Sequence, residues 1–174
     1  MGSWRRSEIV GTTPAGNIVM SDYGHHPNEI RPTLRAIRDK YSDKQLLVVF
    51  QPHQYSRTRE LLQEFANSFS EASELIIPNI YFSRDKQEDV EWMTVEKLIE
   101  AIQESSPLIK VSSSPLLGNE LERSRVRGTF PVKNGGGLEN TAKLIREYDA
   151  KNPNSSIILL LGAGDVDGLR NQII

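Results

Sequence analysis

The chain has 174 residues with a net charge of -2, three histidines and no cysteine. That length suffices for one domain with a real core. The near-neutral charge argues against a nucleic-acid or other polyanion partner, and the absence of cysteine excludes a disulfide framework and a thiolate metal site. No apolar stretch is long enough to cross a bilayer and the first residues lack a signal-peptide pattern, so no membrane partner and a cytoplasmic location are expected. Met1-Gly2-Ser3 reads as a tag remnant ahead of an abrupt start at Trp4-Arg5-Arg6.

In chain order, Ile9-Val10 and Ile18-Val19-Met20 are short β-prone runs around a turn at Thr13–Asn17, predicting a hairpin or two strands entering the sheet. Apolar residues then recur at Ile30, Leu34, Ile37 and Tyr41, the spacing of one helix face. Asn28 is the expected cap, and Pro32 is awkward inside the helix because its ring clashes with the preceding turn. Gln45 to Phe50 is a continuous apolar run, the mark of a strand buried on both faces. A helix with Leu61, Leu62, Phe65, Phe69 and Ala72 on one face should follow, then a strand at Leu75–Ile77 and a polar loop from Asn79 to Glu91. Thr94 should cap a helix that turns Val95, Leu98, Ile99 and Ile102 inward, ahead of a short strand at Leu108–Val111. Ser112 to Gly137 reads as one long loop with a basic cluster at Arg123, Arg125 and Arg127. Helical spacing resumes over Leu138–Tyr148, and the most apolar strand, Ile157–Leu161, ends in Gly162-Ala163-Gly164-Asp165 before a short C-terminal helix. This alternation predicts βαβ units and a mostly parallel sheet with helices on both faces, with ligands at the carboxyl ends of the strands.

All three histidines fall in two connections that follow strands, Ser21-Asp22-Tyr23-Gly24-His25-His26-Pro27 and Phe50-Gln51-Pro52-His53-Gln54-Tyr55-Ser56-Arg57-Thr58-Arg59. Arg57 and Arg59 lie where a helix should begin, and cations there oppose the helix macrodipole. An anion bound by free backbone N–H groups and a guanidinium removes the conflict, so the functional reading is a carboxylate or phosphate site. The plainer reading is an arginine paired with a nearby acid or simply solvated. His53 and His25 could orient a substrate or pass a proton, though a lone loop histidine more often does neither. Asp22 could bind ribose hydroxyls with Tyr23 against a base, or it could cap its own turn. Gly162-Ala163-Gly164 fits close packing better than a dinucleotide fingerprint. No HExxH-type spacing occurs and no dedicated metal site is expected; no GxxxxGK[ST] phosphate loop occurs either.

The Arg5-Arg6-Ser7-Glu8, DYGHHP, FQPH-x-YSRTR and Leu161-Gly162-Ala163-Gly164-Asp165 motifs together resemble the C-terminal domain of the Mur ligases, over nearly the whole chain apart from part of Ser112–Lys133. The resemblance is strongest to the branch that joins L-alanine to UDP-N-acetylmuramate. It implies a Rossmann-like three-layer α/β fold, with residues 1–6 as tag remnant and hinge and 7–174 as the amino-acid-delivering domain. It implies an ATP-dependent reaction in peptidoglycan precursor synthesis, in which an acyl phosphate of the muramoyl carboxylate is attacked by the amine of L-alanine. By the same resemblance Arg6, Asp22 and Tyr23 contact nucleotide, His25 and His53 face the reaction centre, and His53, Gln54 and Arg57 line the amino-acid pocket, with Arg57 on the carboxylate. ATP and Mg2+ belong to the full-length enzyme, neither held tightly by this domain alone. L-alanine, ATP, UDP-N-acetylmuramate and the two missing domains are the implied partners, and the isolated domain is expected to be inactive.

Departures from the family pattern are Gln54 for a usual arginine, Ser7 for a usual phenylalanine, Ser21 for a usual aspartate, and the long Ser112–Lys133 segment. Two other readings stay open: the domain of a tripeptide-recycling UDP-N-acetylmuramate ligase, and a stand-alone anion-binding module without catalysis.

Overall fold

The structure, a computed structural model, describes residues 6–105 and 131–174. The expected strand at Leu108–Val111, the basic cluster at Arg123, Arg125 and Arg127, and most of the long loop lie outside the described residues.

Six strands form one sheet in the order β1-β2-β6-β3-β4-β5. β1 (Glu8–Thr12) and β2 (Ile18–Asp22) are the anticipated hairpin, antiparallel, with β1 on the edge. The remaining pairings, among β2, β6 (Ser156–Leu161), β3 (Gln45–Phe50), β4 (Glu74–Ile77) and β5 (Val132–Asn134), are parallel. The strands β3 and β6 are apolar throughout because both faces are covered. Leu46, Val48, Phe50, Ile157, Leu159 and Leu161 face one core layer, packed with Ile30, Leu34, Phe65, Phe69, Leu98 and Ile102. Leu47, Val49, Ile158 and Leu160 face the other, packed with Ala142, Ile145, Val166 and Leu169. The period-2 alternation thus divides one apolar run between two helical layers, giving the expected three-layer α/β architecture.

Helix α1 (Pro27–Lys40) starts earlier than expected. His26, not Asn28, is its cap: the ring accepts from Asn28 N at 3.2 Å, and Glu29 Oε2 reaches back to His26 N at 3.2 Å. The helix runs on through Pro32, which is exposed. The helix expected after β3 is two short ones, α2 (Tyr55–Glu60) and α3 (Leu62–Ala66), broken at Leu61, whose φ of -106° leaves the helical range. The polar loop after β4 contains a further helix, α4 (Gln87–Trp92), with no buried residue. In α5 (Val95–Ser105) the Thr94 hydroxyl accepts from Lys97 N at 3.3 Å, as a cap should. β5 lies inside what the sequence presents as loop. Helix α6 (Leu138–Lys151) covers the second face, and the chain ends in a 3-10 turn (Val166–Leu169) and the one-turn α7 (Arg170–Ile173).

The end of the molecule away from the strands' carboxyl edge is latched by a buried polar network. Asp149 of α6 accepts from Thr13 Oγ1, from Ala15 N at 3.2 Å and from Asn17 Nδ2 at 2.7 Å. Asn17 also donates to Asn152 O at 2.8 Å and accepts from Ser156 N at 2.8 Å, so one side chain ties the hairpin turn to α6 and to β6. Nothing of this network reaches the opposite edge, where the histidines lie.

Candidate functional site

Because β2, β3, β4 and β6 run parallel, the segments that leave them all emerge at one edge of the sheet. β6 sits between β2 and β3, so their two histidine-bearing connections can meet only across the exit of β6. The glycines there make that possible. A Cβ on Gly162 would lie 2.5 Å from the Gln51 carbonyl, and one on Gly164 would lie 2.3 Å from Gln51 Oε1 and 2.7 Å from the Tyr81 ring. The Gly162–Gly164 turn is therefore a packing device, in agreement with the plainer reading, and its partners are the exits of β3 and β4. With that space open, the His25 and His53 rings approach to 6.1 Å between centroids, and Tyr23 stands edge-on to His25 at 5.4 Å.

Gln51, which the sequence does not single out, organises the floor. It is fully buried, donates from Nε2 to Asn79 Oδ1 at 3.0 Å and Asp165 Oδ1 at 2.6 Å, and accepts from Val166 N at 3.0 Å. One amide thus joins the ends of β3, β4 and β6. The second wall is the segment after β4. Tyr81 pairs with His53 as a parallel bridge, through Tyr81 N to Pro52 O at 2.8 Å and Gln54 N to Tyr81 O at 2.9 Å. The Tyr81 ring lies flat on the imidazole, centroids 5.2 Å apart and planes 20° from parallel.

The start of α2 differs from the expected anion cradle in one respect. Its first turn is already capped from within the chain, by Asp85: Oδ1 accepts from Ser56 N and Ser56 Oγ at 3.0 Å each, and Oδ2 accepts from Ser83 N at 3.1 Å. Burial pushes the Asp85 carboxyl up, but the N–H groups of Ser56, Ser83 and Tyr55 and the Ser56 hydroxyl outweigh it and hold the group below its ordinary range. The chain's own carboxylate thus relieves the dipole conflict. The two arginines then part company. Arg59 takes the plainer reading, ion-paired with Asp89 at 3.2 Å and stacked over Trp92 at 4.8 Å. Arg57 does not. Its Nη1 is buried with no hydrogen-bond partner, and no carboxylate among the described residues lies within ion-pair distance of it.

His53 Nδ1 is likewise buried without a partner. Burial lowers the His53 pKa, the Arg57 and His25 charges lower it further, and Asp85 opposes them, so the ring is neutral at pH 7. An unpaired guanidinium and an unpaired neutral imidazole, four residues apart in the chain, offer a donor and an acceptor, and they stand out because buried polar groups are otherwise satisfied.

The other expected residues are placed as follows. Asp22 is 5% exposed and its oxygens are taken, Oδ2 by Ser7 N at 2.7 Å and Ser7 Oγ at 3.2 Å, Oδ1 by Gly24 N at 2.7 Å. In this arrangement it caps its own turn and anchors the first described residues. The Ser7 side chain therefore bonds the strand end, which a phenylalanine could not do. Tyr23 is 45% exposed at the rim, a surface a flat ring could cover. Arg6 is exposed and near Glu29. Burial raises the Glu29 pKa, but the His25 and His26 N–H groups and the charges of His25 and Arg6 bring it below the ordinary value. The Gln54 side chain is bound to the segment after β4: its Nε2 donates to Ser83 O at 3.0 Å, and its backbone sits at φ 76°, a left-handed conformation costly for a residue with a Cβ. Ser21 is buried and donates to Asp167 Oδ1 at 2.7 Å. Among the described residues no group of three or more histidine, aspartate or glutamate side chains converges as a metal cage, and no helix is long and apolar enough to cross a membrane.

A mostly parallel sheet with helices on both faces, and with a buried guanidinium nitrogen and a buried imidazole nitrogen left unpartnered at its carboxyl edge, defines an α/β domain with its polar side chains gathered at one edge. The chain belongs to the Mur ligase family: the family model "Mur ligase, glutamate ligase domain" matches residues 5–119. It is 31% identical over 172 residues to the UDP-N-acetylmuramate–L-alanine ligase of Chlorobium phaeovibrioides, covering 99% of this chain and 32% of that protein. It is 37% identical over 165 residues to the ligase of the same name from Desulfatibacillum aliphaticivorans, covering 95% of this chain and 30% of that one. Among solved structures, the UDP-N-acetylmuramate–alanine ligase MurC of Thermotoga maritima superposes with a TM-score of 0.60 at 19% identity, over 97% of this chain and 28% of that chain, which bears on the fold alone. The chain thus spans about a third of the length of the curated relatives it matches.

Proposed function

We propose that this domain delivers L-alanine to the muramoyl group in an ATP-dependent UDP-N-acetylmuramate–L-alanine ligase of the cytoplasm. The carrying observation is the pair of buried, unpartnered atoms, Arg57 Nη1 and His53 Nδ1. A free amino acid presents a carboxylate and an amine two bonds apart, and the pair offers one group to each. Arg57 donates to the carboxylate as a charge-assisted bond. In the tautomer with its proton on Nε2, neutral His53 accepts from the amine and orients it for attack on the muramoyl carbonyl, with His25 beside it at the same rim. Tyr23 and Arg6 fit the nucleotide side. Asp22 joins that side only if Ser7 and Gly24 release its oxygens. ATP supplies the phosphoryl group that activates the muramoyl carboxylate, and this reading assigns the tight holding of ATP and Mg2+ to the rest of the full-length ligase. The domain's own work is to bind, orient and exclude water.

The test is Arg57→Ala in the full-length ligase. A charge-assisted hydrogen bond is worth about 1.5–3 kcal/mol, so the KM for L-alanine should rise by roughly 10- to 100-fold while that for ATP stays within about two-fold. Equal rises for both substrates would remove the carboxylate role, and ligation by residues 1–174 alone would remove the division of labour.

A further inference from the structure

We propose that Tyr81 is a positioning residue for His53, holding the imidazole by its ring face so that the ring keeps its orientation beside Arg57 and His25. The sequence gives Tyr81 no role, since it follows a different strand. Three observations converge on it. Its backbone brackets His53 by the two hydrogen bonds of the isolated bridge, fixing the two Cα positions. Its ring lies parallel on the imidazole. Its ring also abuts Gly164, where an added Cβ would lie 2.7 Å from a ring carbon. The tyrosine thus contacts both the β6 exit and the histidine, and a neutral imidazole with no hydrogen bond on Nδ1 has little else to fix its χ2 rotation. The remaining groups that face His53 are charges and not constraints: Arg57 from α2, His25 from the β2–α1 connection, and Asp85 from the segment Tyr81 belongs to. The inference rests on the reading of His53 as part of the amino-acid pocket.

The test is a proton–carbon NMR titration of the three histidines of this chain, with His26 at the cap of α1 as internal reference. In the parent chain His53 should titrate below an ordinary histidine. Tyr81→Phe keeps the ring and should leave the His53 midpoint in place. Tyr81→Val keeps the β-bridge but uncovers the imidazole, and should raise the midpoint by about 0.5 in pH as desolvation is relieved, with His26 unmoved. An unmoved His53 in the valine chain, or an equal rise in the phenylalanine chain, overturns the proposal. Should the valine chain fail to give a dispersed spectrum, Gly164→Ala displaces the ring: a rise supports the stack and no change overturns it. If Arg57→Ala leaves the KM for L-alanine untouched while Tyr81→Val still shifts His53, the pocket assignment fails and the placement of Tyr81 stands.

Discussion

Replacing Asp85 by alanine isolates what keeps the start of α2 in shape. Helix α2, which carries Arg57, has six residues, too few to persist on propensity alone. Its first turn is held from outside by one carboxylate that takes Ser56 N, Ser56 Oγ and Ser83 N. Losing an N-cap of this kind costs about 0.5–2 kcal/mol, and the bond to Ser83 adds up to about 1 kcal/mol. A total near 2 kcal/mol corresponds to a fall in Tm of about 4–8 °C for a chain of this size. Differential scanning calorimetry of both chains across pH supplies a second, independent check. The folded pKa of Asp85 lies below the unfolded value, so its charge-linked stabilisation is complete above the unfolded pKa and is lost as pH falls through the folded one. The gap between the parent and Asp85→Ala should be constant near neutrality and narrow below about pH 4. A gap under about 0.5 kcal/mol at pH 7, or one as wide at pH 2.5 as at pH 7, refutes the cap as the support of α2.

Two further outcomes are expected. Phe50→Ala removes a fully buried ring packed against Phe65 at 5.5 Å and Phe69 at 5.1 Å, and should cost about 3–5 kcal/mol by urea unfolding; a loss under about 1.5 kcal/mol would mean that this layer repacks freely. Asn17→Ala leaves Asp149 and the Ser156 N–H short of a partner in a buried setting and should cost about 2–4 kcal/mol, seen as a lower urea midpoint with the Arg57 and His53 NMR signals unchanged because the site lies at the opposite edge.

The apolar runs Leu46–Phe50 and Ile157–Leu161 announced central parallel strands because only burial on both faces tolerates such sequence. Val132-Lys133-Asn134 announced nothing: it is a three-residue edge strand with one half-buried apolar side chain, and only its pairing with β4 makes it a strand. Helix α4 buries no residue and so leaves no period to read. The break at Leu61 carries no glycine or proline, and the cap of α1 is a histidine, outside the usual capping residues. At the site the same division holds. His25, His53 and Arg57 could be named because charged and aromatic residues crowd two connections. Gln51 looked like one polar residue among several, and Tyr81 and Asp85 lay in an apparent polar loop, since their roles come from the sheet bringing three strand ends to one edge. The cation at the helix start was legible as a conflict; that an aspartate from another segment resolves it was not.

The position of β6 has a consequence for how the molecule comes into being. The strand joining the hairpin to the rest of the sheet is Ser156–Leu161, nearly the last element of the chain. In the sheet β1–β2 and β3–β4 are separated by β6, so the two strand pairs join only when Ser156–Leu161 docks between them. The histidines of the two halves meet only across that strand, so the edge that carries them is complete only once β6 is in place.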